Sequence, residues 1–291
     1  MILVAGFPGR VRWETHHVME GTTLFESQPD SLSAHLAGRS RSRRPLVSGA
    51  VVGIAGYVFM TALLVGLGLL LTKMLLDGAV GSWDRGLDRW FFDQRTPTFD
   101  ELTVWGSRLG DTLTVVGIAA VAVLILSIGR HWAQIAFLVG ALVIEVTTFV
   151  TTTFIVDRER PAVPHLDAGP PTSSFPSGHA AAAIVLYVGL ALITMSLVRN
   201  TIVRSLAWIL AVGLPIAVAL SRLYRGMHHP TDVIASMIGA AGCLAFALLA
   251  TRTGVAVAES NHEAEEADAP TDRPAGSPVV PADAVDVRSA R

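Results

Sequence analysis

Residues 47–71 read VSGAVVGIAGYVFMTALLVGLGLLL, with no Asp, Glu, Lys or Arg among them. A helix of about 20 such residues covers a bilayer hydrocarbon core of roughly 30 Å. In lipid the backbone has no water to bond to, so a spanning segment of this kind must be helical. Working outward, the same character recurs at 112–129, 133–156, 178–197, 205–220 and 233–250. The composition agrees: 51% of the chain is hydrophobic and only 16% charged, against about 25% charged in a typical soluble domain. The sequence therefore predicts an all-α, polytopic membrane protein built as a six-transmembrane-helix bundle.

The rest of the chain sorts around that bundle. Residues 1–46 are polar and irregular, and residues 253–291 are rich in Ala, Pro, Asp and Glu without periodicity. Both read as disordered tails flanking a membrane domain at 47–252. Arg39, Arg41, Arg43 and Arg44 crowd the entrance to the first span, which places both termini in the cytoplasm of a multi-pass inner (plasma) membrane protein. Residues 82–109 are neither apolar enough to span nor plainly polar. They mix Trp83, Trp90, Phe91, Phe92, Phe99 and Trp105 with charges, the signature of amphipathic helices lying in the outer interface between spans one and two. A formal net charge of -2 gives no electrostatic footprint for nucleic acid. The single cysteine, Cys243, sits in the middle of a span, so it supports neither a disulfide framework within the chain nor cysteine-based phosphatase chemistry.

The informative polar residues fall in two loops. Between spans three and four lie Asp157-Arg158-Glu159-Arg160-Pro161 and then PPTSSFPSGH at 170–179; between spans five and six lies SRLYRGMHHPTD at 221–232. Each loop joins an odd span to the following even one, so alternation puts both on one membrane face. Arg160 is expected to end a helix stopped by Pro161, and Arg222 to end another. Two guanidinium forks at the mouth of a bundle suit a phosphate. Ser177 is a natural N-cap, Gly178 would let a ligand approach the backbone, and the helix start behind them is an anion site. Pro230 belongs in the first turn of the last helix. Asp232, in that turn, can reach back to one nitrogen of His228 and leave the other free to attack. A metal hydrolase using His179, His228, His229 and Asp232 would leave the arginine pair without a role. A transporter or channel is the alternative of a different class; such proteins place charges inside spans, and here only Glu145 does so.

These residues resemble the type 2 phosphatidic acid phosphatase superfamily, which includes lipid phosphate phosphatases, bacterial undecaprenyl-diphosphate phosphatases, glucose-6-phosphatase and the vanadium haloperoxidases. Its pattern is Lys-x6-Arg-Pro, Pro-Ser-Gly-His and Ser-Arg-x5-His-x3-Asp. Here Pro176-Ser177-Gly178-His179 and the run from Ser221-Arg222 through His228 to Asp232 are complete. Arg160-Pro161 is kept, but Thr153 stands at the lysine position. The resemblance implies that Arg160, Arg222, Ser177 and the Gly178 N–H hold the phosphoryl oxygens, and that His228 forms a phosphohistidine. It implies further that Asp232 orients His228, and that His179 protonates the leaving alkoxide and then activates water. It implies no metal and no cofactor. Its substrate would be a membrane lipid bearing a phosphomonoester or diphosphate: a polyprenyl diphosphate, phosphatidic acid or phosphatidylglycerophosphate. At helical spacing Thr153 would share a face with Arg160, offering a hydroxyl where the family has a third cation. Arg158 is a candidate auxiliary to the site.

Overall fold

The computed structural model describes residues 24–40, 42–169 and 172–268. Nine α-helices and no strand occur among them: α1 (Leu32–Arg39), α2 (Pro45–Leu70, continued by a π-helical turn at Leu71–Leu75), α3 (Ala79–Asp93), α4 (Pro97–Arg108), α5 (Thr112–Ile128), α6 (Trp132–Ile155), α7 (Gly178–Leu197), α8 (Thr201–Tyr224) and α9 (Pro230–Asp268). Local chemistry sets several of the starts. Prolines open α2, α4 and α9, where a missing N–H costs nothing. Thr96 caps α4 by accepting from the Phe99 N–H, and Asn200 caps α8 by accepting from Ile202 and Val203.

Among the described residues, five segments are long and apolar enough to cross a membrane: α2 with its π-helical turn, α6, α7, α8 and α9. A sixth span is reached by taking α4 and α5 together as one, bent by 44° at their junction; α5 alone has 17 residues. Gly110 makes that bend fit. A Cβ there would lie 2.7 Å from the His179 carbonyl oxygen, so only glycine lets the α4–α5 corner close on the first turn of α7. The six-span expectation holds with this bent second span.

α7 forms the centre of the bundle, against α6, α8 and α9. Its Ala180, Ala183, Val185, Leu186 and Ala191 are buried, and these mostly small side chains allow the close helix approach that membrane packing relies on. α5 turns Val115, Ala119 and Leu126 inward and leaves Leu113, Val116, Leu124 and Ile128 exposed, as a lipid-facing helix must. Glu145 of α6 is buried beside Thr148 and Cys243, lining a small internal cavity that reaches Ser236 and Pro176 beneath the loops.

Two expectations change. The tails are not structureless where they are described: Phe25 packs edge-on against Phe137, Arg252 Nε donates to the Leu24 carbonyl, and α1 rests on α9. α9 runs on past residue 253 to Asp268; its 39 residues make a rod of roughly 58 Å, about twice the hydrocarbon thickness. The remaining tail residues lie outside the described residues. Second, α6 ends at Ile155, not at Arg160: Val156 is extended and residues 156–160 are not helical. The Arg158 side chain is claimed by α3 and α9 and its carbonyl by the Ser174 N–H, which draws the chain out of the helix.

Candidate active site

The start of α9 is the anchor of the site. The first N–H groups of a helix lack internal partners. Asp84 of α3 accepts from the Thr231 N–H at 3.0 Å and from the Thr231 hydroxyl at 2.6 Å, and Asp232 accepts from the His229 N–H at 2.8 Å, one half of a capping box. Arg158 lies across both acids: it donates to Asp84 at 2.6 Å, to Thr231 Oγ1 at 2.8 Å and to Asp232 Oδ1. All three charged side chains are buried, and buried charges persist only when paired. Arg158, expected as an auxiliary to phosphate, is therefore committed to two carboxylates.

His228 is buried in the loop before α9. Its Nδ1 lies 2.7 Å from the Ser174 carbonyl oxygen. A carbonyl can only accept, so Nδ1 carries the proton and Nε2 keeps its lone pair. The nearer Asp232 oxygen is 3.9 Å from Nδ1, beyond hydrogen-bond distance. The expectation that Asp232 holds the ring is thus corrected: the Ser174 carbonyl holds it, and Asp232 fixes the helix start and Arg158. Burial, reinforced by the nearby Arg222 and Arg160 cations, pushes the His228 pKa well below its usual value, which keeps the ring neutral and nucleophilic.

His179 occupies the first turn of α7. Its Nε2 is 2.8 Å from Asp111 Oδ1, directly before α5. Asp111 was not anticipated; the available signal was an acid at the head of an apolar run on the membrane face that carries both loops.

Arg222, in the last turn of α8, is buried and donates through Nη1 to Ser107 Oγ at 2.8 Å and Asp167 Oδ2 at 3.0 Å. Arg225 grips the same Asp167 with two bonds, at 2.8 and 2.6 Å. Burial alone would raise the Asp167 pKa, but these two guanidiniums outweigh it and hold the carboxyl below its usual range. Asp167 and Arg225 were also not singled out in the sequence. Arg160 donates to the Met227 carbonyl at 2.6 Å.

The helix start of α7 departs from expectation in its details. Ser177 stands at the N-cap position but makes no cap bond; its backbone N–H goes to Ser236 Oγ at 2.8 Å, and the one Ser236 hydroxyl proton is shared between the Ser177 carbonyl at 2.9 Å and the Asp232 carbonyl at 2.8 Å. Ser236 thus staples α7 to α9. A Cβ at Gly178 would meet the Phe149 ring at 2.8 Å, so any side chain there would have to push that α6 ring aside. Buried polar atoms without a partner are uncommon. Here they include Ser177 Oγ and the Nε atoms of Arg160, Arg222 and Arg158. The first three belong to residues expected to hold phosphate, and a phosphoryl group offers the acceptors they lack. Because α6 ends at Ile155, Thr153 and Arg160 do not share a helix face, and the two-turn relation between them fails. Among the described residues, no three His, Cys, Asp or Glu side chains form a group able to hold a metal ion.

The family model described as PAP2 superfamily matches residues 134–254, the stretch holding the Arg160, Ser177–His179 and Arg222–Asp232 clusters. Two crystal structures are similar. One is the first transmembrane PAP2-type phosphatidylglycerolphosphate phosphatase from Bacillus subtilis, at 18% identity and TM-score 0.49, covering 74% of this chain and 98% of that one. The other is Aquifex aeolicus LpxE, at 20% identity and TM-score 0.44, covering 57% of this chain and 92% of that one. No curated protein matches the chain.

Proposed function

We propose, on the premise that residues 134–254 are a PAP2-superfamily segment, that the protein is a membrane phosphatase acting on a lipid phosphate through a phosphohistidine at His228. The observation that carries this reading is the 2.7 Å contact between His228 Nδ1 and the Ser174 carbonyl. It fixes the tautomer and leaves the Nε2 lone pair free, in the electrostatic reach of Arg222 and Arg160.

In this reading Arg160, Arg222, Ser177 Oγ and the α7 N-terminus hold the phosphoryl oxygens. His228 Nε2 forms a bond to phosphorus as the bond to the lipid oxygen breaks, and the departing oxygen takes a proton from His179. Nε2–H of His179 is held by the Asp111 carboxylate, so the acid is the imidazolium form of the ring, which delivers its Nδ1 proton and is left neutral with its remaining proton on Nε2. Water then attacks the phosphohistidine, His179 takes back a proton, the N–P bond breaks, and phosphate leaves. Asp232 acts through the α9 start and not on the ring. The site faces the extracytoplasmic side, with both termini in the cytoplasm, on the strength of the arginine cluster at 39–44.

Purified protein should release phosphate from at least one of polyprenyl diphosphate, phosphatidic acid and phosphatidylglycerophosphate. His228→Ala should abolish that release while leaving the thermal transition in place, because a covalent path needs its nucleophile. Retention of more than about a few per cent of the wild-type rate would remove His228 from that role.

A further inference from the structure

We propose that Asp84 and Asp88 of α3 are positioning residues for this reaction, so that a helix seated in the membrane interface sets the geometry of the nucleophile. The inference rests on the reading of His228 as nucleophile.

α3 has two faces. Asp84 and Asp88, one helical turn apart, are 1% and 6% exposed, whereas Trp83 and Trp90 are 47% and 53% exposed. An anchor helix needs the tryptophans but has no use for buried carboxylates, which are costly unless paired. Their partners all belong to the support of His228. Asp84 binds Thr231 and Arg158, and the Arg158 carbonyl accepts from the Ser174 N–H at 2.9 Å. Asp88 Oδ2 lies 2.6 Å from His229 Nδ1. The other nitrogen of that ring faces the Glu159 carbonyl at 3.2 Å, which also accepts from Ser174 Oγ at 3.0 Å. Two separate routes thus lead from α3 to Ser174, whose carbonyl holds the His228 ring.

The phosphate-binding arginines are held differently. Arg160 rests on the Met227 carbonyl, and Arg222 on Ser107 and Asp167; neither hydrogen-bonds to α3. Loosening α3 should therefore misplace the attacking nitrogen and leave phosphate affinity in place.

The test uses the full chain in lipid nanodiscs with Asp84→Asn and Asp88→Asn, isosteric changes that remove the charge. Turnover per mole of folded protein is measured on an aryl phosphate and on the lipid substrate, with the inhibition constant for inorganic phosphate and the thermal midpoint. Each variant should lose about tenfold to 100-fold in kcat, the scale of a small misplacement of a reacting group. The loss should be the same on both substrates, with phosphate inhibition changed by less than about threefold. Wild-type kcat in a folded variant overturns the proposal, as does a loss of phosphate affinity that matches the loss of kcat. Should Asp84→Asn fail to fold, Asp88→Asn, whose contact lies nearer the rim, carries the test. His228→Ala run alongside separates the two levels: an active His228→Ala removes the nucleophile and this proposal with it, while a dead His228→Ala beside fully active Asn variants overturns only the role of α3.

Discussion

Asp111→Asn isolates the partner of His179 without changing its shape. In the wild type His179 Nε2 and Asp111 Oδ1 are 2.8 Å apart, the length of a charge-assisted hydrogen bond. Such bonds contribute about 1.5–3 kcal/mol when well buried. These side chains are 32% and 44% exposed, so solvent screening brings the value down to about 1 kcal/mol. At 1.36 kcal/mol per decade of rate, the loss is about fivefold. It should fall on the step that needs a proton. A lipid alkoxide is a poor leaving group and should show the full effect, whereas an activated aryl phosphate leaves without a proton and should lose less than about twofold. His179→Ala gives the outer limit, a loss of about 100-fold to 10,000-fold on the lipid and far less on the aryl ester. The assay is release of the leaving group in the first turnover on both substrates, which isolates the acid step from the water attack that both share, with the thermal midpoint as a folding control. Equal losses on both substrates, or none on the lipid, would refute the assignment of His179 as the acid and Asp111 as its support.

Other consequences can be measured on the same preparations. The His228 pKa is depressed in the folded protein, so the unfolded chain binds the extra proton first. Stability is therefore complete above about pH 6.5 and declines as pH falls below it toward the folded value; His228→Asn should flatten that part of the thermal midpoint profile, and an unchanged profile would count against a buried neutral ring. Arg158→Leu strips the counter-charge from Asp84 and Asp232 and should lower stability by about 3–5 kcal/mol, the cost of breaking a buried pair from one side; a change under about 1 kcal/mol in denaturant unfolding would show the cluster to be solvated. Ala168 is exposed in the loop that carries Asp167, so Ala168→Cys in a Cys243→Ala background should react with an impermeant thiol reagent on intact cells. Labelling only after lysis would invert the topology.

Much of this arrangement was legible in the sequence, for definite reasons. Spans announce themselves because lipid demands apolar helices, and the Ser177–His179 and Arg222–Asp232 clusters are short enough to read in place. What escaped was long-range pairing. Asp84 and Asp88 read as the polar face of an interfacial helix, because nothing in residues 79–93 reveals that Arg158, Thr231 and His229 meet them. Asp111 and Asp167 were ordinary loop acids until the folded chain brought them to His179 and Arg222. The seven-residue spacing from Thr153 to Arg160 misled because helical periodicity was carried past Ile155, where tertiary claims on Arg158 override it. The Ser174 carbonyl, which rather than Asp232 orients His228, is a backbone group and carries no mark in the side-chain sequence.

Phosphoryl transfer through His228 requires a covalent bond from its Nε2 to phosphorus. Rapid quenching of the enzyme with radiolabelled lipid phosphate tests it most directly. A transient protein-bound phosphate, stable in base and labile in acid, is expected on the peptide that contains His228 and is expected to be absent from His228→Asn. Turnover of wild-type protein with no labelled protein at any quench time, or the same label in His228→Asn, would contradict it.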